Sequence, residues 1–159
     1  MKHQLVTYLG NGLRIEALNS WSNQSEVWFK ELEAYSFRKE LRYDSGELRE
    51  RLEKEDVLFL FIVVNERPEG VILGYPIQQE EGTAFYLDTF AIRTRGRGIG
   101  RIVLKHVIEW ASESGFKAIQ LDTEAMNEVG QSLQKFYESF GFVVQRIEED
   151  GNITMRLAL

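Results

Sequence analysis

The segment with the clearest chemical character is a turn rich in glycine and arginine, Arg95-Gly96-Arg97-Gly98-Ile99-Gly100-Arg101. It follows an apolar run typical of a β-strand and precedes a segment with helical periodicity. The first N–H groups of a helix have no partner within the helix, and glycine lets the main chain approach an anion closely. Three arginines add forked donors that suit phosphate oxygens. The segment therefore predicts a polyphosphate ligand; the alternative is a tight turn whose arginines are simply solvated.

This turn does not match the common nucleotide-binding loops. The nucleoside-triphosphate loop requires G-x-x-x-x-G-K-[ST], which the chain lacks. The dinucleotide fingerprint G-x-G-x-x-G needs its third glycine at the position of Arg101. That fingerprint also follows the first strand of a βαβ unit, whereas three consecutive predicted strands precede this turn. A nucleotide is therefore a poor candidate for the ligand.

The elements that must position the turn predict a mixed α/β (α+β) fold. Helical periodicity appears in four segments, 28–35, 48–52, 99–111 and 129–140. Asp44 followed by Glu47 predicts a capping box for the second helix. Apolar runs and turn residues predict strands at 13–17, 57–64, 71–77, 84–92, 118–121, 142–147 and 152–157. The order indicates a β-meander followed by a β-α-β crossover.

Composition narrows the class of protein. A chain of 159 residues suits a single domain spanning 1–159. Cysteine is absent, which excludes disulfides, thiolate metal sites and an acyl-cysteine intermediate, and no metal site is predicted. The net charge of -6 argues against nucleic-acid binding and weakly favours a cationic partner. Neither a membrane span nor a signal peptide is recognised, so we expect a cytoplasmic protein.

Three features in order resemble the GNAT superfamily of N-acetyltransferases. Its signature [QR]-x-x-G-x-[GA] at the start of a helix is met by Arg95, Gly98 and Gly100. The strand before the turn has the expected character, and a late helix contains Tyr137 and ends in Gly141-Phe142. The resemblance implies a mostly antiparallel central sheet of about six to seven strands flanked by about four helices.

The resemblance also implies acetyl-CoA (coenzyme A) as the cofactor. Its pyrophosphate would lie on the backbone amides of the turn, and its pantetheine arm would lie along the preceding strand. Asn127, which follows the next strand, would contact it as well. The implied cofactor-binding residues are Phe90, Ala91, Ile92, Arg95, Gly96, Arg97, Gly98, Ile99, Gly100, Arg101, Asn127 and Tyr137.

Two departures from the family pattern concern spacing. Only Arg93 and Thr94 separate Ile92 from the signature arginine, where the family usually has four residues. Asn127 precedes the helix tyrosine by ten residues, where the family often shows about seven. These departures affect the entry loop and the assignment of Asn127.

The implied reaction needs a base and an assisted leaving group. An alkyl amine with a pKa near ~10.4 is mostly protonated at pH 7 and must lose a proton before it attacks. Asp88, in the strand before the turn, is the first candidate base, and Glu124, after the neighbouring strand, is the second. By resemblance Tyr137 would protonate the departing thiolate or donate a hydrogen bond to it. Without cysteine, direct attack in a ternary complex is favoured over an acyl-enzyme.

Each candidate residue has a simpler structural interpretation. Asp88 would be a hydrogen-bonding strand residue, Glu124 a solvated loop acid, and Tyr137 a core residue on its helix. The whole chain has an alternative too, a non-catalytic acyl-CoA-binding or regulatory module of the same fold. The expected partner is an amine acceptor, either a small molecule or a peptide or protein, with no nucleic acid and no membrane; a homodimer is left open.

Overall fold

The strands of the chain form one seven-stranded sheet in a computed structural model that describes residues 14–17, 22–37, 39–93, 96, 98–126, 130 and 132–159. Its order is β1-β2-β3-β4-β5-β7-β6. The strands are β1 Arg14–Ala17, β2 Leu58–Val64, β3 Arg67–Gln79, β4 Gly82–Ile92, β5 Ala118–Thr123, β6 Val143–Ile147 and β7 Ile153–Ala158. All neighbours are antiparallel except β4 and β5, which are parallel. The mixed, mostly antiparallel sheet predicted from the sequence is confirmed.

Four α-helices and a short 3₁₀ turn flank the sheet. They are α1 Asn23–Ser36, the 3₁₀ turn Lys39–Leu41, α2 Ser45–Leu52, α3 Ile99–Glu113 and α4 Leu133–Glu138. The predicted capping box of α2 is present, since the Asp44 carboxylate accepts from the Glu47 N–H at 2.8 Å and the Glu47 side chain accepts from the Asp44 N–H at 3.2 Å. In the described part of the chain, none of the helices has the length and apolarity that crossing a bilayer requires.

Among the element boundaries that differ from the sequence prediction, two have a clear structural cause. Between the predicted strands 57–64 and 71–77 the turn is confined to Asn65 and Glu66, both with positive φ, as the tight turn of a β-hairpin requires. Pro68 therefore lies within β3, opposite Val63 and beside a register shift that tolerates its missing N–H. The late helix begins at Leu133, where the Ser132 side chain accepts from the Lys135 N–H at 3.1 Å.

Two apolar cores lie on opposite faces of the sheet. Alternate residues of β2 divide between them, with Leu60 in one and Phe61 in the other, so this strand is buried on both faces as its apolar run predicted. The first core packs against α3 and α4 through residues such as Trp110 and Tyr137. The second packs against α1 and α2. The helices thus cover both faces and fix the ends of the central strands.

A β-bulge in β4 lies at Asp88. Leu87 pairs with Gly74 and Thr89 pairs with Leu73, so two ladder positions of β3 oppose three residues of β4. A bulge of this kind bends a strand and re-aims its side chains. Asp88 is therefore the extra residue at the point where β4 changes direction.

The bulge reverses which face of the sheet the following side chains occupy. Phe85 and Leu87 belong to the core beneath α3. Beyond the bulge Ala91 joins the opposite core, and Phe90 and Ile92 pack against the first. Without the extra residue, strict alternation would place Ala91 on the same face as Leu87.

The parallel strands β4 and β5 separate beyond Leu87. Their pairing runs from Ala84 with Ala118 to Leu87 with Leu121, and no described pairing joins the two strands after it. The end of β5 continues to pair with β7. The segment 88–92 of β4 therefore keeps β3 as its partner on one side and presents an open edge on the other.

Candidate active site

A cavity of about 690 Å³ lies where β4 and β5 diverge. The far end of β4, the start of α3, the end of β5 and α4 form its walls, together with part of α1 and the segment after it. Clefts at the carboxyl ends of separating parallel strands are common ligand sites, because main-chain groups there have no partner strand.

The start of α3 forms one end of the cavity. Gly98 is the N-cap residue of α3, with φ of +71°, and no side chain caps the helix there. A Cβ atom placed on Gly96 or on Gly98 would meet nothing within 4 Å, so both glycines border open space. The first N–H groups of α3 have no partner within the helix and carry the positive end of its dipole. This end of the cavity is thus suited to an anion.

Among the described residues, Arg101 is the arginine that lies at this end of the cavity. It lines the cavity, and its guanidinium carbon lies 4.8 Å from the centre of the Phe140 ring and 5.8 Å from that of Phe136. Contact with aromatic faces restrains an arginine side chain while leaving its N–H donors available. Arg95, Arg97 and Asn127, all predicted to contact the cofactor, lie outside the described residues.

The open edge of β4 forms the long wall. Phe90, Ala91 and Ile92 all line the cavity, as does Ile99 at the start of α3. An extended ligand laid along this edge would meet the main-chain groups that a further strand would otherwise bond. Ile92 and three glycines that follow it in the chain, Gly96, Gly98 and Gly100, line the same cavity.

Tyr137 lines the cavity from α4 and is only 7% exposed. Its ring packs edge-on against Phe136 and Phe142, with centroids 5.2 and 5.6 Å apart. Burial raises the pKa of the phenol above its ordinary value, so the hydroxyl stays protonated at neutral pH. No described residue hydrogen-bonds that hydroxyl. The arrangement is a protonated donor held at the cavity wall.

Asp88 also lines the cavity, but its carboxylate is already heavily engaged. Its Oδ1 accepts from the Tyr43 hydroxyl at 2.6 Å and from Thr89 Oγ1 at 3.2 Å. Its Oδ2 accepts from the Tyr75 hydroxyl at 2.7 Å and from Arg51 Nε at 3.2 Å. The side chain is 2% exposed.

Four donors on one carboxylate fix its position and stabilise its charge. An incoming ammonium group would have to displace one of them before Asp88 accepted its proton. The same carboxylate, together with burial as the larger cause, raises the pKa values of Tyr43 and Tyr75. The assignment of Asp88 as the base stays a prediction, and its surroundings are those of an anchor for two tyrosines.

Glu33 is a cavity residue that the sequence analysis did not identify. It lies on α1, is 2% exposed, and its Oε2 accepts from the Tyr43 N–H at 2.8 Å. Burial raises its pKa to about 7. The sequence does contain a signal for it, because Glu33 shares helical spacing with Phe29 and Leu32, both wholly buried. An acid on an apolar helix face is either paired or functional.

Two further acids follow the β5 side of the cavity. Glu124, the second predicted base, lines the cavity directly after β5. Asp122 also lines it and accepts from the Tyr86 hydroxyl at 2.6 Å, Thr154 Oγ1 at 2.6 Å and Asn152 Nδ2 at 3.2 Å. The structure therefore brings Tyr137, Asp88 and Glu124 to the same cavity, with two acids that were not predicted.

An open sheet wedge, a glycine-rich helix start and a buried tyrosine together define the class of fold suggested by the sequence. The family model described as "Acetyltransferase (GNAT) family" matches residues 18–142. The chain belongs to this family. No curated protein sequence matches the chain.

Solved structures share the fold at low sequence identity. Naa50 of Arabidopsis thaliana, in complex with the bisubstrate analogue CoA-Ac-MVNAL, superposes with a TM-score of 0.70 at 21% identity, covering 94% of this chain and 100% of that one. The ribosomal-protein-S18-alanine N-acetyltransferase of Escherichia coli gives 0.69 at 18% identity, covering 92% and 93%. A GNAT family acetyltransferase from Elizabethkingia anophelis with acetyl-CoA bound gives 0.65 at 18%, covering 94% and 100%.

Proposed function

We propose that this protein is an acetyl-CoA-dependent N-acetyltransferase that acts on a primary amine by direct attack in a ternary complex. The observation that carries the proposal is the continuity of one cavity. It runs from the glycine-rich start of α3, along the open edge of β4, to the buried hydroxyl of Tyr137 and a group of carboxyls. An acetyl donor that carries a polyphosphate, an extended arm and a thioester, in that order, would fit these three parts of the cavity. Family membership supports the same conclusion.

The donor's contacts follow from the chemistry of each wall. The amides from residue 95 to residue 101 would hold the pyrophosphate, with Arg101 adding charge and Arg95 and Arg97 proposed from the sequence alone. The main chain of 90–92 would bond the pantetheine arm, as an added strand bonds a sheet edge. Asn127 is proposed as a further contact because it follows β5. Where a Cβ on Gly96 or Gly98 would project, the space is free for phosphate oxygens.

Transfer itself depends on two proton movements. The attacking ammonium group must first lose a proton to a carboxylate or a water held by one. As the carbon–sulfur bond breaks, the Tyr137 hydroxyl donates to the departing sulfur, which is what a protonated phenol at the cavity wall can do. Full proton transfer from a phenol to a thiolate is uphill by about 2 kcal/mol at ordinary pKa values. The proposed role of Tyr137 is therefore to stabilise the departing sulfur by a hydrogen bond and not to transfer its proton.

The acceptor is proposed as a primary amine on a small molecule, a peptide or a protein. Of the similar structures, Naa50 is in complex with the bisubstrate analogue CoA-Ac-MVNAL and the Escherichia coli enzyme is a ribosomal-protein-S18-alanine N-acetyltransferase; both are below 25% identical to this chain. Four acids line the cavity, whereas Arg101 is its one described lining arginine or lysine. That balance favours an acceptor that arrives as a cation.

The test combines binding with turnover. Coenzyme A should stabilise the protein in a thermal-shift assay more than ATP or NAD does, and acetyl-CoA with a panel of primary amines should release free thiol. Binding of coenzyme A without thiol release on any amine would instead support a non-catalytic acyl-CoA-binding module. Stronger stabilisation by ATP or NAD would overturn the assignment of the glycine-rich turn.

A further inference from the structure

We propose that Glu33 is the general base that accepts the proton of the attacking amine. This inference rests on the proposed function and deepens it by naming a catalytic residue. Three observations carry it: the position of Glu33 in the cavity wall, its fixed geometry, and its small number of hydrogen bonds compared with the neighbouring acids.

Glu33 borders the cavity in which the donor is proposed to bind. It lies on α1 and lines the same space as Phe90 and Ala91. The main chain of those strand residues is where the donor's arm is proposed to lie. The proposal therefore places the incoming amine between the Glu33 carboxyl and the donor's thioester.

Tyr43 holds Glu33 in place. Its N–H donates to Glu33 Oε2 at 2.8 Å, while its hydroxyl donates to Asp88 Oδ1 at 2.6 Å. The Tyr43 ring is itself restrained, since it lies parallel to Phe29 with 6.4 Å between centroids and Arg51 lies 3.9 Å above it. A base held by one well-restrained backbone donor is pre-organised for proton transfer.

The neighbouring acids are more heavily engaged. Asp88 accepts four hydrogen bonds, one of them from Arg51. Asp122 accepts three. Among the described residues the Glu33 carboxyl accepts one, on Oε2, which leaves Oε1 for a substrate proton. Glu124 is less buried than Glu33.

Charged groups of both signs surround Glu33. The Tyr43 N–H, Arg42 and Lys30 favour its ionised form, whereas Glu47 on α2 disfavours it. Asp88 on β4 is linked to it through Tyr43, which donates its N–H to Glu33 and its hydroxyl to Asp88. Burial is the largest influence and sets the pKa at about 7. A carboxyl near neutrality is a suitable base, because it is substantially ionised yet still takes up a proton.

A purely structural role does not need this carboxyl to ionise. A glutamine would accept the Tyr43 N–H equally well and would avoid the cost of a buried charge. A buried titratable group with perturbed pKa beside a cavity is, for this reason, a marker of function.

The ammonium nitrogen loses two protons in the proposed reaction. One proton passes from the ammonium nitrogen to Glu33, and the neutral amine then attacks the thioester carbon. The C–N bond forms, the C–S bond breaks with its electron pair going to sulfur, and the nitrogen loses its second proton as the amide forms. Glu33 passes the first proton to solvent, and the second leaves the nitrogen to solvent water. The departing thiolate accepts a hydrogen bond from Tyr137 and takes up one proton from solvent, so one proton is released overall.

The test compares the full-length wild type with Glu33→Gln and with Glu50→Gln, an exposed acid of α2, as matched control. Two amines are used, an alkyl amine and its cyano-substituted analogue, whose ammonium is already deprotonated at pH 8. For the alkyl amine kcat/KM should fall by about 10²- to 10⁴-fold in Glu33→Gln and stay unchanged in Glu50→Gln. For the cyano-substituted amine the loss should be about tenfold or less.

The pH profile gives a second, independent readout. With the alkyl amine, wild-type kcat/KM should reach its plateau above pH of about 7, where Glu33 is ionised. In Glu33→Gln the value should keep rising toward the pKa of the amine, because only amine that is already neutral reacts. Coenzyme A should stabilise all three proteins equally in a thermal-shift assay.

The outcomes separate this inference from the proposed function. Active wild type with an unaltered Glu33→Gln profile, or equal losses for the two amines, overturns Glu33 as base and leaves the acetyltransferase standing. A wild type that binds coenzyme A but releases no thiol with any amine overturns both. Selective loss with the alkyl amine, together with the altered pH profile, supports the inference.

Discussion

The Tyr43 hydroxyl donates to Asp88 Oδ1 at 2.6 Å, joining the segment before α2 to the bulge of β4 across 45 positions of the chain. The bond ties the helical side of the cavity to its strand wall. Because Asp88 is 2% exposed, each of its donors stabilises a charge that has lost most of its water. The geometry of this part of the cavity thus depends on this pair.

Replacing Tyr43 with phenylalanine should lower the unfolding free energy of the protein moderately. The change removes one hydrogen bond to a buried charge but keeps the ring beside Phe29 and the N–H donated to Glu33. We expect unfolding free energy to fall by about 1.5–3 kcal/mol, measured by urea denaturation. Tyr75→Phe removes the corresponding donor on Oδ2 and serves as comparison.

The double variant Tyr43→Phe/Tyr75→Phe sharpens this test. Removing both hydroxyls leaves Asp88 with Thr89 and Arg51, so the second loss should cost more than the first. Strictly additive losses would mean that the two phenols do not share one buried charge.

The pKa of Glu33 predicts a pH-dependent stability of definite sign. Its folded-state pKa of about 7 lies above its ordinary value of 4.5, so the folded state binds more protons between these pH values. Stability from this group is fully present below pH 4.5 and is lost as the pH rises through about 7. Over that window the loss amounts to about 3.5 kcal/mol at about 1.4 kcal/mol per pH unit.

Glu33→Gln isolates this contribution. Subtracting its unfolding free energy from that of the wild type at each pH removes the titration of all other groups. The unfolding free energy of the variant should rise relative to that of the wild type as the pH increases from 4.5 to about 7. A flat difference for Glu33→Gln would contradict the raised pKa.

The features that the sequence predicted are local ones. The glycine-rich turn, the stripe that includes Tyr137 and the capping box of Asp44 and Glu47 each depend on residues within a few positions of one another. Their periodicity and spacing are therefore visible without the tertiary structure. The signature glycines were found for the same reason, since positive φ at Gly98 is a local requirement.

The unpredicted features depend on long-range contacts. Three of the four donors to Asp88 come from residues 13, 37 and 45 positions away, and only the folded structure brings them together. The bulge at Asp88 exists only relative to β3. The burial of Glu33, and hence its pKa, follows from packing between α1 and the residues before α2. Sequence spacing therefore located the cavity, whereas the hydrogen bonds and burial of its acids are visible only in the folded structure.

Alanine at Gly98 should weaken coenzyme A binding through lost space and lost conformational freedom. Gly98 has φ of +71°, which costs an L-residue about 1–2 kcal/mol, and its Cβ would project into the space assigned to phosphate. We expect the dissociation constant, measured by calorimetry, to rise at least about tenfold.

Gly115→Ala provides the matched control for this prediction. Gly115 lies just beyond the other end of α3, has φ of +86°, and a Cβ there also meets nothing within 4 Å. Both variants should lose similar stability, because the backbone strain is the same in kind. Equal coenzyme A affinity in the two variants would contradict the phosphate assignment.

Tyr137→Phe should separate chemistry from folding. The phenol makes no hydrogen bond to a described residue, and its ring packing against Phe136 and Phe142 survives the change, so unfolding free energy should move by less than about 0.5 kcal/mol. Turnover should nevertheless fall by about 10- to 100-fold, with little change in coenzyme A affinity, because the departing sulfur loses its donor.

Burial raises the pKa of the Tyr137 phenol, so the wild-type rate should show no fall attributable to its ionisation below pH of about 10. Stopped-assay rates of thiol release across pH 6–9 would measure both effects, and a variant as fast as the wild type would reduce Tyr137 to a packing residue.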